Sequence, residues 1–262
     1  MELTYTNYLK VEELINLQEL KSSPQEHDEM LFIIIHQAYE LWFKQILHEA
    51  QELVNRLRSN KITDAQKTLK RMITIMKVLV HQVDILETMT PLEFLKFRNY
   101  LDSASGFQST QFRELEFLLG MKNSTALQRT DADSLQRAKL EERFASPTLW
   151  DEFVKYLNSN SFDIPDEYLN RDFTKKIEPN DKLQEILIDI YKNSPIIAQF
   201  CELLLDFDEG LQEWRYRHVQ MVQRTIGNKS GTGGSSGADY LKSTLFRQAF
   251  PDLWIIRAEF SI

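Results

Sequence analysis

The sequence predicts an all-α protein, and two observations support this fold class. Only 8 glycines and 7 prolines occur in 262 residues, and so few helix breakers favour long helices over a strand-rich fold with many turns. Apolar residues recur with the period of an amphipathic helix along several segments, while no strand-like alternation of useful length occurs. Because no linker demands a boundary, we expect a single domain over residues 1–262.

Three helices are predicted in the first hundred residues. Apolar positions from residue 30 follow the i, i+3, i+4, i+7 pattern to about residue 58, after acidic residues that suit a helix N-terminus. A second amphipathic pattern covers residues 63–86. Thr90 and Pro91 then match an N-cap and a first helical position, which predicts a shorter helix that continues through residue 101.

The middle of the chain is more polar and is predicted to form an inserted helical layer within the bundle. After this layer the apolar periodicity returns, and it predicts the last long helices. The predicted segments, in order, are a break at 102–106, a helix at 108–119, a loop at 120–133, helical structure at 134–160, a break at 158–165, and helices at 183–191 and 195–225.

Charge and composition bear on the class of partner. A formal net charge of −8 argues against a nucleic-acid binder, which needs a basic face for phosphates. The longest apolar run, residues 30–35, is far too short to cross a bilayer, and the first residues do not resemble a secretory signal. We therefore expect a soluble, cytoplasmic protein without a membrane partner. The single cysteine, Cys201, cannot form an internal disulfide and is predicted to be a buried thiol.

The histidines could carry metal chemistry, although the sequence lacks the His-Glu-x-x-His pair of a zinc protease. His218 lies in a predicted helix with Trp214 on its side of the cylinder, so it is either a hydrogen-bonded core residue or a haem ligand in an apolar wall. His36 shares a helix face with Phe32 and Phe43, and a core role is again the alternative. The nearby Arg215, Arg217 and Arg224 could meet haem propionates or form a solvated face.

Two further features could belong to a ligand site. Phe94 and Arg98 are four residues apart, so an aromatic ring and a guanidinium point the same way. Arg98 could pair with an acidic residue of another helix or grip a substrate carboxylate, and the combination suits an aromatic amino acid. Five of the eight glycines fall within residues 227–237, which predicts either a flexible connector or a backbone that approaches a ligand closely.

Several segments, in order along nearly the whole chain, resemble the tryptophan 2,3-dioxygenase family. The resemblance is weakest between about residues 121 and 195. The segments are YTNYL at 5–9, HDEMLFIIIHQAYELWFKQ at 27–45, FRNYL at 97–101, SGFQS at 105–109, QFR at 111–113, WRYRHV at 214–219 and GTGGSSG at 231–237.

The resemblance implies an all-α helical bundle of the haem dioxygenase fold, assembled as a homotetramer. Each subunit would carry one b-type haem, ferrous in the active state. The implied reaction converts L-tryptophan and dioxygen to N-formylkynurenine, the first step of tryptophan catabolism by the kynurenine route.

The resemblance also implies individual roles. His218 would be the axial ligand of the haem iron, Ser105 would lie close to the haem edge, and His36 would accept a hydrogen bond from the indole N–H. Arg98 would bind the substrate carboxylate with help from Thr232, on a lid loop at about 227–238. The indole pocket would be lined by Phe32 and Phe94, the latter a tyrosine in some relatives. Within an N-terminal segment 1–20, the residues that reach a neighbouring subunit's site would be Tyr5, Tyr8 and Leu9.

Other functions remain open at this point. A related haem dioxygenase could act on a substituted indole in secondary metabolism, and a haem-binding sensor could have lost catalysis. A plain helical bundle without a cofactor is a third alternative. The presence of His36, Arg98 and Thr232 together argues against lost catalysis, because a scaffold would not need all three.

Overall fold

The computed structural model of the chain describes residues 2–128, 130, 134–232 and 237–260. Within these ranges the regular elements are helices and no strand occurs, which confirms the predicted all-α class. The α-helices are α1 Tyr5–Leu9, α2 Val11–Leu14, α3 His27–Arg58, α4 Ile62–Leu86, α5 Pro91–Arg98, α6 Thr110–Leu118, α7 Ser124–Gln128, α8 Leu135–Ala145, α9 Leu149–Ser159, α10 Asp166–Leu169, α11 Asp181–Asn193, α12 Pro195–Ile226, α13 Ala238–Lys242 and α14 Pro251–Ile255.

Three long helices form the frame of the bundle. α3 and α12 each have 32 residues, and both pack against the 25-residue α4. Their apolar stripes meet in one core, in which Ile46 and Leu53 of α3 and Leu69 and Leu79 of α4 are fully buried. The predicted helices at 30–58, 63–86 and 195–225 are confirmed to within a few residues, because each long periodic pattern needs a partner to cover it.

The start of α5 follows from local chemistry. The Thr90 hydroxyl accepts a hydrogen bond from the Glu93 N–H at 3.4 Å, and the Glu93 carboxylate accepts one from the Thr90 N–H at 2.6 Å. This capping box, with Pro91 in the first turn, satisfies N–H groups that a helix start leaves unpaired. α5 ends at Arg98 and continues as a 3₁₀ turn to Leu101, so the predicted helix is confirmed with a tighter last turn.

The middle of the chain separates into two layers. α8 packs on α6 over a small core of its own, centred on Phe117 and Leu140, and α7 packs on α8. α9 packs on α3 and contributes to the main core. The predicted loop at 120–133 is wrong in part, because Ser124–Gln128 is helical. Between α8 and α9, Pro147 requires an extended residue before it, and Ser146 has ψ 156°.

The short helices were not predicted from the sequence. α1, α2, α10, α13 and α14 have only four or five residues each, too few to show a helical period. Cys201 is buried, as predicted, and burial raises the pKa of its thiol. None of the helices in the described ranges combines the length and hydropathy needed to cross a bilayer.

Candidate active site

A cavity of about 240 Å³ opens between the helical frame and two irregular segments. Its walls come from α3, α4, α5, α6, α12 and α13, and from the irregular stretches that follow α5 and α12 in the chain. Most of its lining is apolar. Seven of the site residues implied by the family resemblance line this one cavity: Phe32, His36, Phe94, Arg98, Ser105, His218 and Thr232.

His218 faces the cavity from the last third of α12. Burial, with smaller contributions from the neighbouring His36, Arg113 and Arg215, lowers the pKa of His218 to about 4. The ring keeps some accessible surface, but that surface faces the cavity. His218 is therefore a neutral imidazole at physiological pH, the form in which histidine binds a metal.

The ring of His218 is stacked on that of Trp214, one helical turn earlier. The two rings are nearly parallel, with an interplanar angle of 10° and centroids 5.1 Å apart. Trp214 in turn packs against Phe112 and Phe43, with ring centroids 5.0 and 6.3 Å away. All four rings of this aromatic cluster line the cavity.

His36 faces the same cavity from α3. Its Nδ1 lies 2.7 Å from the Phe32 carbonyl oxygen, and since a carbonyl only accepts, Nδ1 must carry the proton. Nε2 is then a lone-pair acceptor. Burial lowers the pKa of His36 from its ordinary value, although the Phe32 hydrogen bond and the charge of Glu40 act in the opposite direction.

An aromatic wall lies beside His36. The Phe32 ring is 4.1 Å from the His36 ring between centroids, and 5.8 and 5.5 Å from those of Phe94 and Phe97. Phe94 and Phe97 pack edge to face at 5.3 Å. Such a wall suits a flat aromatic ligand, because tilted ring contacts add to the burial of apolar area.

Arg98 and Thr232 lie where α5 and the loop after α12 approach each other. The Arg98 Nη2 donates to the Ser230 carbonyl at 2.5 Å, and the Thr232 hydroxyl donates to the Ala104 carbonyl at 2.6 Å. Gly237 has φ +63°, and a Cβ there would come within 2.6 Å of the Lys229 carbonyl oxygen, so only glycine fits. Of the predicted glycine loop, residues 233–236 lie outside the described residues.

Ser105 lies in the cavity wall at the start of a 3₁₀ turn. Its hydroxyl accepts a hydrogen bond from the Phe107 N–H at 3.3 Å. The neighbouring Gly106 also lines the cavity, and a Cβ there would meet no atom within 4 Å. The backbone therefore leaves open space beside Ser105, into which a flat group could extend.

One buried ion cluster in the cavity wall includes Arg215, which the sequence offered as a possible partner of haem propionates, but its members Arg113 and Glu116 were not predicted. Glu116 pairs with Arg113 at 2.6 Å and with Arg215 at 2.7 Å. Two guanidinium groups and one carboxylate leave one net positive charge. The Nε atoms of both arginines are buried without a hydrogen-bond partner among the described residues. The signal lay in the segments QFR and WRYRHV, where arginines occur amid aromatic residues.

The other arginines near His218 in the sequence point elsewhere. Arg217 donates to Asp84 and lies 3.3 Å from Glu87, and Arg224 lies 3.0 Å from Glu87. Neither arginine lines the cavity. They form ion pairs on the side of α12 that faces the end of α4.

Tyr5, Tyr8 and Leu9 do not line the cavity of their own chain. Their side chains are exposed to 77%, 72% and 45% in the isolated subunit. The Thr4 hydroxyl caps α1 by accepting a hydrogen bond from the Asn7 N–H at 3.4 Å. This capped short helix carries the exposed apolar groups.

Fold and cavity together define a class of protein. It is an all-α protein whose central helices enclose an apolar pocket with a neutral histidine, suited to a metal-bearing cofactor. A second histidine, an aromatic wall and an arginine at the mouth suit a flat, acidic small molecule beside that cofactor.

Comparison with known proteins identifies the family. The family model described as tryptophan 2,3-dioxygenase matches residues 1–148 and 166–260. A tryptophan 2,3-dioxygenase of Herpetosiphon aurantiacus is 54% identical over 257 residues, which cover 98% of each chain. Those of Anaeromyxobacter dehalogenans and Bacillus thuringiensis subsp. konkukian are 48% and 40% identical, over 97% and 98% of this chain and 95% and 92% of theirs. The chain belongs to the tryptophan 2,3-dioxygenase family.

Proposed function

We propose that the chain is a haem-dependent dioxygenase that cleaves the C2–C3 bond of the indole ring of L-tryptophan to give N-formylkynurenine. Both atoms of dioxygen enter the product, so no external reductant is consumed per turnover. One observation carries the proposal: in a member of this family, His218, His36 and Arg98, from three different helices, all line one apolar cavity.

The residues present fit a haem. A neutral His218 in an apolar wall suits an axial ligand of the iron. The net positive charge of the Arg113–Glu116–Arg215 cluster suits an anionic propionate, as do its two buried Nε–H groups, which have no hydrogen-bond partner in the described ranges. The open space beside Ser105 and Gly106 is consistent with a haem edge. The chemistry that a bound haem supplies is the activation of dioxygen.

The amino-acid end of the substrate would be held at the mouth of the cavity. Arg98 offers a planar guanidinium of which the Ser230 carbonyl occupies one hydrogen-bond donor, so donors remain for a carboxylate. A charge-assisted pair of this kind contributes about 1.5–3 kcal/mol. Thr232, on the segment that faces Arg98, is the second group proposed to fix this end.

The indole ring would be oriented by His36 and the aromatic wall. Because the Phe32 carbonyl keeps the proton on Nδ1, Nε2 can accept a hydrogen bond from the indole N–H. Indole is a very weak acid, so we assign His36 an orienting role and not that of an obligatory base. Phe32 and Phe94 would exclude water and restrict the ring to one plane.

Assembly is proposed to complete the site. The exposed apolar side chains of α1 support a role for Tyr5, Tyr8 and Leu9 in the site of a neighbouring subunit, within a homotetramer. Deletion of residues 1–20 is then expected to raise the KM for tryptophan. It should also change the number of subunits per particle, which analytical ultracentrifugation measures. An unchanged mass and KM would exclude this role. The loop at about 227–238 stays a proposed lid, and a cytoplasmic location stays a prediction.

The decisive experiment combines the cofactor and the reaction. The purified protein, reconstituted with haem and reduced with dithionite, is mixed with L-tryptophan in air-saturated buffer and followed at the absorbance of N-formylkynurenine. We expect a Soret band and product accumulation. The same assay is repeated with substituted tryptophans. A Soret band with turnover of a substituted tryptophan and none of L-tryptophan would contradict the proposed substrate. A protein that takes up no haem would contradict the proposed function.

A further inference from the structure

Trp214 has an environment that goes beyond packing the core. It lies one turn before His218 on α12, and the two rings are parallel within 10°. A parallel stack restricts rotation of the imidazole about its Cβ–Cγ bond, because rotation would drive one ring edge into the indole face. The plane of the His218 ring is therefore set by the plane of Trp214.

The described residues offer no hydrogen bond that would orient the His218 ring instead. In the part of the chain that the structure describes, neither ring nitrogen of His218 has a hydrogen-bond partner. His36 differs, because its Nδ1 is held by the Phe32 carbonyl at 2.7 Å. Histidines that bind metals are usually oriented by a hydrogen bond from the second ring nitrogen. For His218 the stacked indole ring takes the place of that orienting hydrogen bond.

Trp214 is itself held from two other helices. Its side chain is 8% exposed. From α3, the rings of Tyr39 and Phe43 pack against it in T-shaped arrangements, with centroids 6.2 and 6.3 Å away and interplanar angles of 66° and 87°. From α6, Phe112 approaches at 5.0 Å. A ring in contact with three others cannot turn without moving them, so the indole is a rigid reference plane.

We propose that Trp214 is a positioning residue that orients the imidazole of His218 for the iron by ring stacking. Tyr39, Phe43 and Phe112 transmit the packing of α3 and α6 to that plane. The inference rests on the haem-binding function proposed above. It adds a group that acts through His218 by setting the orientation of that ligand.

The test compares Trp214→Leu with Trp214→Phe in the haem-reconstituted protein. Two measurements are made: the iron–histidine stretching band of the ferrous form by resonance Raman, and the rate of haem transfer to an acceptor globin. Leucine keeps an apolar side chain but removes the flat surface, so we expect a shifted or broadened band and haem loss faster by about tenfold. Phenylalanine keeps a stacking face, and both quantities should stay within about twofold of wild type.

Phe200→Leu is the matched control for lost aromatic packing. Phe200 is fully buried in the main core against Phe153 and does not line the cavity. This variant should lower the melting temperature without changing the iron–histidine band. If Trp214→Leu does not fold, Trp214→Met provides the same comparison with a more flexible side chain.

The outcomes separate this inference from the function on which it rests. A band and a haem-transfer rate in Trp214→Leu equal to those of wild type would overturn the positioning role, while the haem site would stand. An equal shift of the band in Phe200→Leu and Trp214→Leu would also overturn the positioning role and leave the haem site standing. A wild-type protein without haem, or His218→Ala with an unchanged iron–histidine band, would instead overturn the proposed function.

Discussion

His218 and His36 lie within the long helices of the central frame, whereas Arg98 and Thr232 lie where a short helix ends and where a loop begins. The two histidines are placed by helices whose apolar faces are covered along most of their length. At the mouth, each side chain makes its hydrogen bond to a backbone carbonyl of the segment opposite, Arg98 to Ser230 and Thr232 to Ala104.

This difference separates two tasks. The frame holds His218, proposed for the cofactor, and His36, proposed for the indole, without help from any ligand, because core packing decides their positions. At the mouth, which we define by Arg98 and Thr232, two hydrogen bonds join the segments opposite each other among the described residues. Removal of the His218 imidazole should therefore affect haem retention, and changes at Arg98 and Thr232 should affect substrate binding alone.

The largest effect is expected for His218→Ala. The wall then keeps its shape but loses the neutral imidazole, and bound haem should fall to below about a tenth of the wild-type amount. The ratio of Soret to protein absorbance after gel filtration measures this. Haem content equal to wild type, with unchanged spectra, would remove His218 from its proposed role.

Arg98→Ala should show the opposite division of effects. We expect haem content to stay at the wild-type level while the KM for L-tryptophan rises by about 10- to 100-fold, as the loss of one charge-assisted pair predicts. Steady-state kinetics on the reconstituted enzyme give both values. Arg98→Lys keeps the charge but not the planar fork, so it should recover only part of the loss. An unchanged KM would contradict the assignment.

His36→Ala is expected to reduce turnover by about tenfold and to keep it measurable, since orientation and not proton abstraction is lost. Complete loss of turnover, with haem and tryptophan still bound, would contradict an orienting role.

The pH dependence of substrate binding sharpens the assignment of His36. Burial lowers the pKa of His36 below its ordinary 6.5. Its acceptor nitrogen, Nε2, is then largely unprotonated at pH 6.5 and above. Protonation at lower pH removes its ability to accept a hydrogen bond. The KM for tryptophan should stay level as pH falls to 6.5 and rise in more acidic solution. The His36→Ala variant should lack this acidic rise in KM. A rise in the wild-type protein with its midpoint above pH 6.5 would contradict the assignment to His36.

The smallest effect is expected for Thr232→Val, which keeps the shape and removes the hydrogen bond to Ala104. A single neutral hydrogen bond contributes about 0.5–1.5 kcal/mol, so the KM should rise by about two- to tenfold with unchanged haem content. Thr232→Ser retains the hydroxyl and should behave like wild type. Loss of haem in Thr232→Val would break the separation between wall and mouth.

Sequence patterns succeeded where the controlling interactions are local. The long helices at 30–58 and 195–225 were predicted because apolar periodicity and end residues act within a few turns. The helix at Ser124–Gln128 was not, because a single turn leaves no period. The resemblance to the tryptophan 2,3-dioxygenase family was also evident from short segments that occur in the same order along the chain. These segments placed His36, Arg98 and His218 among the candidates.

The sequence by itself determined the all-α class, the long helices and the residue types of the candidate site. Only the tertiary structure decided which of these residues share one cavity, and which arginines line it. Arg113 and Glu116 are neighbours on α6, but Arg215 is about a hundred residues away in the chain and reaches Glu116 at 2.7 Å. Pairing of this kind depends on how α6 packs near α12, and no periodicity within either helix encodes that distance.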